Sequence, residues 1–570
     1  MSSVLVRRAL LAVLMVGTLA TTYIAGTRRH LDDAVPERFR YYGIPVAVSA
    51  ERYGLGGYVA YSPIAARFFN DKPIDVILST DLPGALDDSV IANGRRGLGL
   101  FFVPADDKGD VTFSRIAFRL FGTHATSLYR AYFTLLLLSV AAFTVVFWAD
   151  LVRLLVGVCV MLASLSLVSA FQNGLLLPDV VTFYDPRIYG IVAVLAVLHL
   201  GFSCVDGQRL SPLRLVCAIY QVFMIVLAVH VRVDNLWLIA AMAVWVVGDA
   251  VWTRSMRTGV GSLRHGWPLA VMTVGFAALL LGERLAYHPR YFSTHMAHHL
   301  LWHNVGIGLA LHPDFAKGFD YQASGAHRVD EDGDRVMMKA VAQYLMANGQ
   351  RETVTRIFGS AYSNSTGTVD GVAIDVGQFL HTAGSDIALY NDEAQRFVLD
   401  TMRAHPRQTA KLFLWYKPRS IVGHYLWFLG ATASAPALDA AGYPNPLFSS
   451  GGDTAKTTGR ASFAPMRWLG LAVFALALIA AAPAPPARLR GALAASILLL
   501  AFSVVPLLVA YAAPFLMGAP LFTLTLTLHL ATAVAVSATW RSSMAAFRTG
   551  ARRSWQAALA SAKIACVAVV

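Results

Sequence analysis

Long apolar runs alternate with polar segments of unequal length along this chain. A helix that crosses the hydrocarbon core of a bilayer needs about 20 apolar residues in succession. About ten runs come near that length, so the pattern predicts an all-α transmembrane bundle. The predicted spans cover residues 9–26, 128–149, 151–170, 188–205, 213–231, 235–252, 267–284, 467–484, 491–513 and 519–540.

The composition agrees with a polytopic membrane protein, because hydrophobic residues make up 56% of the 570 residues and charged residues only 14%. The first run has the basic start of a signal peptide, at Arg7 and Arg8. Its long apolar core and the bulky Tyr23 favour an uncleaved signal anchor instead. The four cysteines all lie outside the two longest polar segments, so the sequence predicts neither a disulfide nor a cysteine-ligated zinc site.

Charge divides the polar segments into two kinds. The short ones are rich in arginine, and the two long ones, 27–127 and 285–466, carry most of the acids. Short loops rich in Lys and Arg stay in the cytoplasm. Both termini are therefore predicted to be cytoplasmic and both long segments exported, in a bacterial-type inner membrane. The arginines assigned to the cytoplasmic face are Arg7, Arg8, Arg153, Arg209, Arg214, Arg254, Arg257, Arg264, Arg488, Arg490, Arg541, Arg548, Arg552 and Arg553.

This charge pattern also limits the partners. The net charge of +13 suits contact with the anionic lipids of the cytoplasmic leaflet. No basic run is interleaved with aromatic residues, so nucleic-acid binding is not predicted. The cytoplasmic loops are short and lack a glycine-rich phosphate-binding motif. Any chemistry is therefore expected on the exported side, where an activated donor has to arrive on a lipid carrier.

The alternation of apolar runs and long polar segments predicts four units along the chain. They are an N-terminal transmembrane module at 1–284 with its exported loop at 27–127, an exported soluble domain at 285–466 between spans seven and eight, C-terminal helices at 467–540, and a cytoplasmic amphipathic tail at 541–570. Within the exported domain, helices are predicted at 336–348 and 391–404 and a linker at 442–459. Residues 411–431 are apolar but interrupted by Lys417-Pro418-Arg419. Because two cations and a proline are costly at the centre of a span, an interfacial or re-entrant helix pair is predicted there.

The sharpest group of reactive side chains lies in the first exported loop. Asp87 and Asp88 precede a short helical stretch, and Arg95 and Arg96 follow within about two turns. Adjacent carboxylates can act as a general base or hold a divalent cation, and guanidinium groups bind phosphate. Lys108 comes a little further on. The structural alternative is that Asp87 caps a helix and the arginines extend to the membrane surface.

This arrangement resembles the GT-C superfamily of polyprenyl-phosphate-dependent glycosyltransferases, such as protein O-mannosyltransferases and lipid A aminoarabinose transferases. The matching pieces are Asp87-Asp88, Asp107-Lys108-Gly109 and Leu120-Phe121-Gly122, just before the second span. The motifs cover about residues 80–140, and the remainder of the chain matches only by topology. The resemblance departs from the family in having Asp-Asp rather than Asp-Glu, and in the late position of the pair. Asp32-Asp33 is therefore a competing pair.

The resemblance implies a function and a set of roles. It implies transfer of a sugar from a polyprenyl-phosphate donor to an exported glycan, lipid or protein acceptor at the membrane. Asp88 would be the general base, assisted by Asp87. Arg95, Arg96 and Lys108 would stabilise charge on the departing lipid phosphate. It implies no certain cofactor and leaves a divalent cation open.

A second group of candidate residues follows the seventh span. Arg290 is followed by histidines at 295, 298, 299 and 303, whose spacing puts several imidazoles on one helical face. Three interpretations stay open: a metal site, interfacial aromatics and histidines, or Arg290 and His303 facing the carrier phosphate or the sugar. The metal is not identified by this pattern.

Two other function classes also remain open. An envelope polysaccharide polymerase, ligase or acyltransferase would use the same exported face, but no nucleophilic motif for an acyltransferase stands out. A lipid or glycan transporter or flippase would need charged pairs deep in several spans. Asp249 and Glu283 instead lie near span ends.

Overall fold

The structure is a computed structural model that describes most of the apolar chain and part of the predicted exported domain. The described residues are 3–30, 113, 116–117, 119–122, 127–172, 189–207, 209–253, 259–286, 301–318, 333–358, 368–369, 372–373, 387–430, 454–510 and 518–548. Statements about the fold refer to these residues.

Ten helices form a bundle, one at each predicted apolar run. They are α1 (Ser3–His30), α2 (Ser127–Phe147), α3 (Leu151–Gln172), α4 (Tyr189–Val205), α5 (Pro212–Val231), α6 (Leu236–Thr253), α7 (Gly259–Ala286), α15 (Thr454–Ala481), α16 (Pro486–Val509) and α17 (Gly518–Arg548). Six of them, α1, α2, α3, α5, α16 and α17, are long and apolar enough to cross a membrane, whereas the apolar parts of the other four are shorter. The prediction of an all-helical membrane bundle is confirmed at this level.

Smaller elements lie between α7 and α15. They are α8 (Leu301–Leu309), α9 (Pro313–Gly318), α10 (Gly333–Ala347), α11 (Arg351–Phe358), β1 (Thr368–Val369), β2 (Val372–Ala373), α12 (Ile387–Ala404), α13 (Pro406–Lys411) and α14 (Lys417–Gly430). The two strands pair antiparallel, with Thr368 opposite Ala373. A π-helical turn, Leu412–Tyr416, joins α13 to α14. The predicted helices at 336–348 and 391–404 are confirmed as α10 and α12.

Two buried helices organise the bundle. α3 packs against α1, α15 and α17, and α4 packs against α5, α6 and α7. Of the apolar window in α3, 89% is buried inside the protein. A helix that is apolar on all its faces is stable in the middle of a bundle, where every face meets another helix.

Buried polar side chains also join bundle helices. Ser139 of α2 donates through Oγ to Gln221 Oε1 of α5 over 2.7 Å. The amide of Gln221 donates to the Ser139 carbonyl over 3.0 Å and lies 3.2 Å from His199 Nδ1 of α4. All three side chains are buried. A polar group without water in the bundle needs a protein partner, and here each partner comes from another helix.

Arginines gather at one end of the bundle. The contacts join Arg7 to the Ile479 carbonyl (3.0 Å), Arg8 to the Ala149 carbonyl (3.0 Å), Arg153 to Asp206 (2.9 Å), Arg488 to Asp150 (3.1 Å) and Arg541 to the Ala484 carbonyl (3.0 Å). These atoms belong to the start of α1, the α2–α3, α4–α5 and α15–α16 connections, and the later part of α17. The predicted grouping of these arginines on one face is therefore present in the fold. Which side of the membrane this face occupies stays a prediction.

The segment between α7 and α15 has its own core at the opposite end. Its buried side chains come from α8, α9, α10, α11 and α12, and they include Met338, Val341, Ile357 and Val398. This end of the bundle also holds the start of α2, where the Tyr129 hydroxyl donates to the Tyr23 carbonyl over 2.6 Å.

The helices bear on three predicted segments. α15 begins at Thr454, so the end of the predicted linker at 442–459 is helical. The run from α13 through the π-helical turn to α14 is one continuous helical run that is not among the candidate spans, and its interfacial or re-entrant position stays a prediction. α17 continues to Arg548, so the start of the predicted tail is a continuation of the last helix.

Candidate functional site at the junction of bundle and domain

The end of α16 is an unusual helix terminus. Pro506 lies inside the helix, and Ala510 leaves the helical conformation, with φ −85° and ψ −104°. The last carbonyls of any helix lack partners within it and need donors from elsewhere. At α16 those donors come from a single side chain of α14.

Lys417 supplies these donors. Its Nζ donates to the carbonyls of Leu508 (2.8 Å), Val509 (3.1 Å) and Ala510 (2.8 Å). Lys417 is fully buried. A cation at a helix C-terminus also interacts favourably with the helix dipole. The contact therefore joins the domain segment to the end of a candidate span.

The π-helical turn before Lys417 sets its direction. Hydrogen bonds in a π-helix span five residues rather than four, so one such turn shifts the face on which the following residues lie. Leu412 is buried in the domain core, and the Phe413 ring lies 4.4 Å from Nζ of Lys417. A cation over an aromatic face is attracted by the ring quadrupole.

Gly308 permits the close approach of α8 to this helix end. A Cβ at this position would lie 1.8 Å from the Ala510 carbonyl oxygen and 3.1 Å from Nζ of Lys417. The backbone oxygen cannot rotate away as a side chain could. Any larger residue at 308 would therefore have to displace α8 or the end of α16.

Two effects act on the charge of Lys417. Burial lowers the pKa of its amine to about 7, because removal from water penalises the charged form. The three carbonyls favour the ammonium, whose three N–H bonds match three acceptors. The two effects on the charge of Lys417 therefore oppose each other.

His312 lies beside the same junction. Its ring packs edge-on against Tyr416, with centroids 4.7 Å apart, and its Nδ1 accepts from the Asp314 amide over 3.2 Å. Burial is the main cause that lowers its pKa. Its Nε2 is buried and has no hydrogen-bond partner among the described residues. Neighbouring Leu311 packs against both hydrophobic cores.

Most of the residues predicted to carry chemistry lie outside the described part of the chain. They are Asp87, Asp88, Arg95, Arg96, Lys108 and Arg290, together with the competing pair Asp32-Asp33 and the histidines at 295, 298 and 299. Their predicted roles stay predictions.

His303 is the exception, and its position is internal. It lies on α8 with 1% of its surface exposed, and its Nδ1 is 2.5 Å from the Tyr390 hydroxyl of α12. α8 and α12 pack against each other in the domain core. In this position His303 joins two helices of the core, and its predicted role toward the carrier phosphate or the sugar stays a prediction.

Gly122 forms a turn shortly before the second span. Gly122, the last residue of the Leu120-Phe121-Gly122 motif, has a positive φ of 78°, which glycine adopts without steric cost. Ser127 at the start of α2 donates through Oγ to the Gly122 carbonyl over 2.5 Å. The glycine therefore ends a helical stretch and lets the chain enter α2.

The junction brings together residues that sequence reasoning did not assign to a site. The sequence marks Lys417 only as a cation that is costly within a span. Nothing in the sequence indicates that α16 ends beside it. Among the described residues, no group of three or more His, Cys, Asp or Glu side chains could hold a metal ion. Chemically, this junction binds and orients helix ends, with one titratable amine at its centre.

Comparison with known proteins identifies no relative of this chain. No protein-family model, curated protein or solved structure matches this chain. The resemblance to lipid-linked glycosyltransferases therefore stays a prediction from the sequence, based on the motifs of residues 80–140 and on the predicted topology.

Proposed function

We propose that this protein is a membrane glycosyltransferase of the GT-C type, which moves a sugar from a polyprenyl-phosphate carrier to an exported acceptor. The acceptor class is a cell-envelope glycan, lipid or protein. Both termini are cytoplasmic in this proposal, and the reaction takes place at the exported face of a bacterial-type inner membrane.

The observation that supports the proposal is the difference between the two ends of the bundle. Arginines collect at one end, where connections are short. At the other end, α8 and α14 contact the end of α16, and the later part of α1 meets the start of α2 at the same end. By the rule that arginine-rich short loops stay inside, both long segments would be exported. A donor on that side must be carried by lipid.

The proposed chemistry is a displacement at the anomeric carbon. Asp88 would accept the proton of an acceptor hydroxyl while the hydroxyl oxygen bonds to the sugar. The bond between the sugar and the phosphate oxygen would break, and polyprenyl phosphate would leave with the electron pair. Arg95, Arg96 and Lys108 would stabilise the charge that develops on the phosphate, and Asp87 would orient the base.

The test measures release of polyprenyl phosphate from synthetic polyprenyl-phosphate sugars by the purified protein in nanodiscs, with a cell-envelope extract added to supply acceptor hydroxyls. Asp88→Asn should lower the release by about 10²–10⁴-fold, the usual effect of losing a general base. The variant should keep the thermal unfolding midpoint of the wild type. The matched controls are Asp33→Asn, in the competing pair, and Asp150→Asn, at the opposite end of the bundle.

Each outcome decides a part of the proposal. Activity of Asp88→Asn above about a tenth of wild type would exclude the general-base role. Loss of activity in Asp33→Asn with retention in Asp88→Asn would move the site to Asp32-Asp33. No consumption of any polyprenyl-phosphate sugar by the wild type would refute the transferase proposal.

Sidedness is tested separately by cysteine labelling at Ser363 in intact cells. We expect an impermeant maleimide to label position 363 without permeabilisation of the inner membrane. A reporter fused after Arg553 should be active only in the cytoplasm. The opposite results would overturn the topology and, with it, the need for a lipid-linked donor.

A further inference from the structure

The run from α13 to α14 exposes large apolar side chains outside the candidate spans. Leu414 is 79% exposed, Trp415 59% and Val422 49%. Within the described residues from 301 to 411, Leu301 is the one comparably exposed large apolar side chain. The exposed apolar surface of the domain is therefore concentrated on this run.

Cations precede these apolar residues along the run. Arg407 and Lys411 lie four residues apart in α13, which places them along one side of that helix. Both are exposed, as are Leu414 and Trp415 in the π-helical turn that follows. The exposed surface thus combines cations with Leu and Trp, the residue types with which interfacial helices contact anionic headgroups and acyl chains.

Lys417 holds the run from α13 to α14 at one level along the axis of the bundle. Its Nζ contacts the carbonyls at the end of α16, whose candidate span is Pro486–Val509. Trp415 lies only two residues away on the run, so it is held near the level at which the span ends. Tryptophan is enriched at that level because its ring is amphipathic.

We propose that Arg407, Lys411, Leu414 and Trp415 form a membrane-binding surface that holds the domain against the bilayer on its own side of the bundle. Leu414 and Trp415 enter the boundary between headgroups and acyl chains, and Arg407 and Lys411 contact the phosphates of anionic phospholipids. Charge complementarity and continuity with the end of a span select lipid as the occupant. This surface does not depend on the proposed sugar transfer.

The test places single spin labels on the full-length protein in vesicles and measures collision with oxygen and with a water-soluble nickel chelate. Cys159, Cys204, Cys217 and Cys566 are first replaced by serine or alanine. Labels at 414 and 415 should collide more with oxygen than with nickel, as should a label at Leu138, which is 49% exposed on α2. A label at Asn348, exposed after α10, should show the reverse, with nickel collisions several-fold higher than at 415.

Lipid composition tests the role of the cations. In vesicles of phosphatidylcholine with phosphatidylglycerol, Arg407→Gln with Lys411→Gln should raise the nickel collisions of the label at 415. In phosphatidylcholine alone, the same double variant should change little. If labelling at 415 prevents folding, labels at 414 and Val422 carry the same test.

Three outcomes would overturn the proposal. Nickel collisions at 414 and 415 as high as at 348 would mean that the surface faces water. Low collisions with both probes would mean that protein covers it, from another part of this chain or from a second copy. A depth at 415 that is independent of phosphatidylglycerol and of both cations would refute binding to anionic headgroups.

Discussion

The protein buries polar groups in two regions in different ways. Inside the bundle, Ser139, Gln221 and His199 pair side chain with side chain across three helices. At the junction, Lys417 pairs with three main-chain carbonyls at one helix end. A substitution in the bundle network removes one of the polar groups that need a partner. A main-chain carbonyl at the junction, by contrast, remains in every variant and still needs a donor. We therefore expect the junction to tolerate substitution less well than the bundle network, although the Lys417 and Gln221 side chains are both fully buried.

The largest expected effect is that of Lys417→Met. The substitution leaves three carbonyls at the end of α16 without their donor, and each buried unsatisfied group costs about 1–3 kcal/mol. We expect a loss of stability on the order of 3 kcal/mol or more, measured as a lower thermal unfolding midpoint in detergent. Lys317→Met, an exposed lysine on α9, is the control and should unfold like the wild type. Equal midpoints for both variants would contradict the role of Lys417.

Gly308→Ala tests the packing of α8 against the end of α16. The added Cβ would lie 1.8 Å from the Ala510 oxygen, so backbone has to move. Overpacking of this kind costs about 1–3 kcal/mol. Gly318→Ala is the matched control, because a Cβ there meets nothing within 4 Å. If Gly308→Ala is as stable as Gly318→Ala, α8 is not packed against α16 as described.

Gln221→Leu should have a smaller effect in the bundle. Hydrogen bonds between membrane helices contribute about 0.6 kcal/mol on average and up to about 1.7 kcal/mol. We expect a fall in the unfolding midpoint well below that of Lys417→Met under the same conditions. Thr134→Val, on an exposed position of α2, serves as control. A loss as large as that of Lys417→Met would remove the contrast between the two regions.

The last expected effect is a dependence on pH that belongs to the junction alone. Burial gives Lys417 a folded-state pKa of about 7, below its ordinary value of 10.5. Between these values the unfolded chain binds more protons, so stability from this group rises as pH increases from 7 towards 10.5. The midpoint difference between wild type and Lys417→Met should thus widen from pH 7 to pH 9. A difference that narrows would mean that the carbonyls hold the ammonium more strongly than burial opposes it.

The sequence predicted much of the fold and little of the junction. Its ten apolar runs correspond to ten helices, because the length and apolarity of a membrane helix are properties of a short stretch of chain. The grouping of arginines at one end also followed, since helices joined by short loops must alternate in direction. The prediction that 411–431 does not span came from the cost of Lys417, Pro418 and Arg419 in lipid.

The candidate site was less predictable, for two reasons. The chemistry assigned to Asp87, Asp88 and their neighbours lies outside the described residues, so its geometry stays open. His303 was selected for its spacing to other histidines, but spacing along one helix does not indicate which face a second helix covers. Packing of α12 against α8 decides that His303 meets Tyr390.

The sequence by itself determined that this is a helical membrane protein with two long polar segments and one arginine-rich face. Those features depend on local composition and on the order of spans. Only the tertiary structure decided that Lys417 meets α16, 91 residues further along the chain at Leu508, and that Gly308 makes room for that contact. Pairing over such distances depends on which helix ends come together in the folded bundle, and this information is carried by packing rather than by any single stretch of sequence.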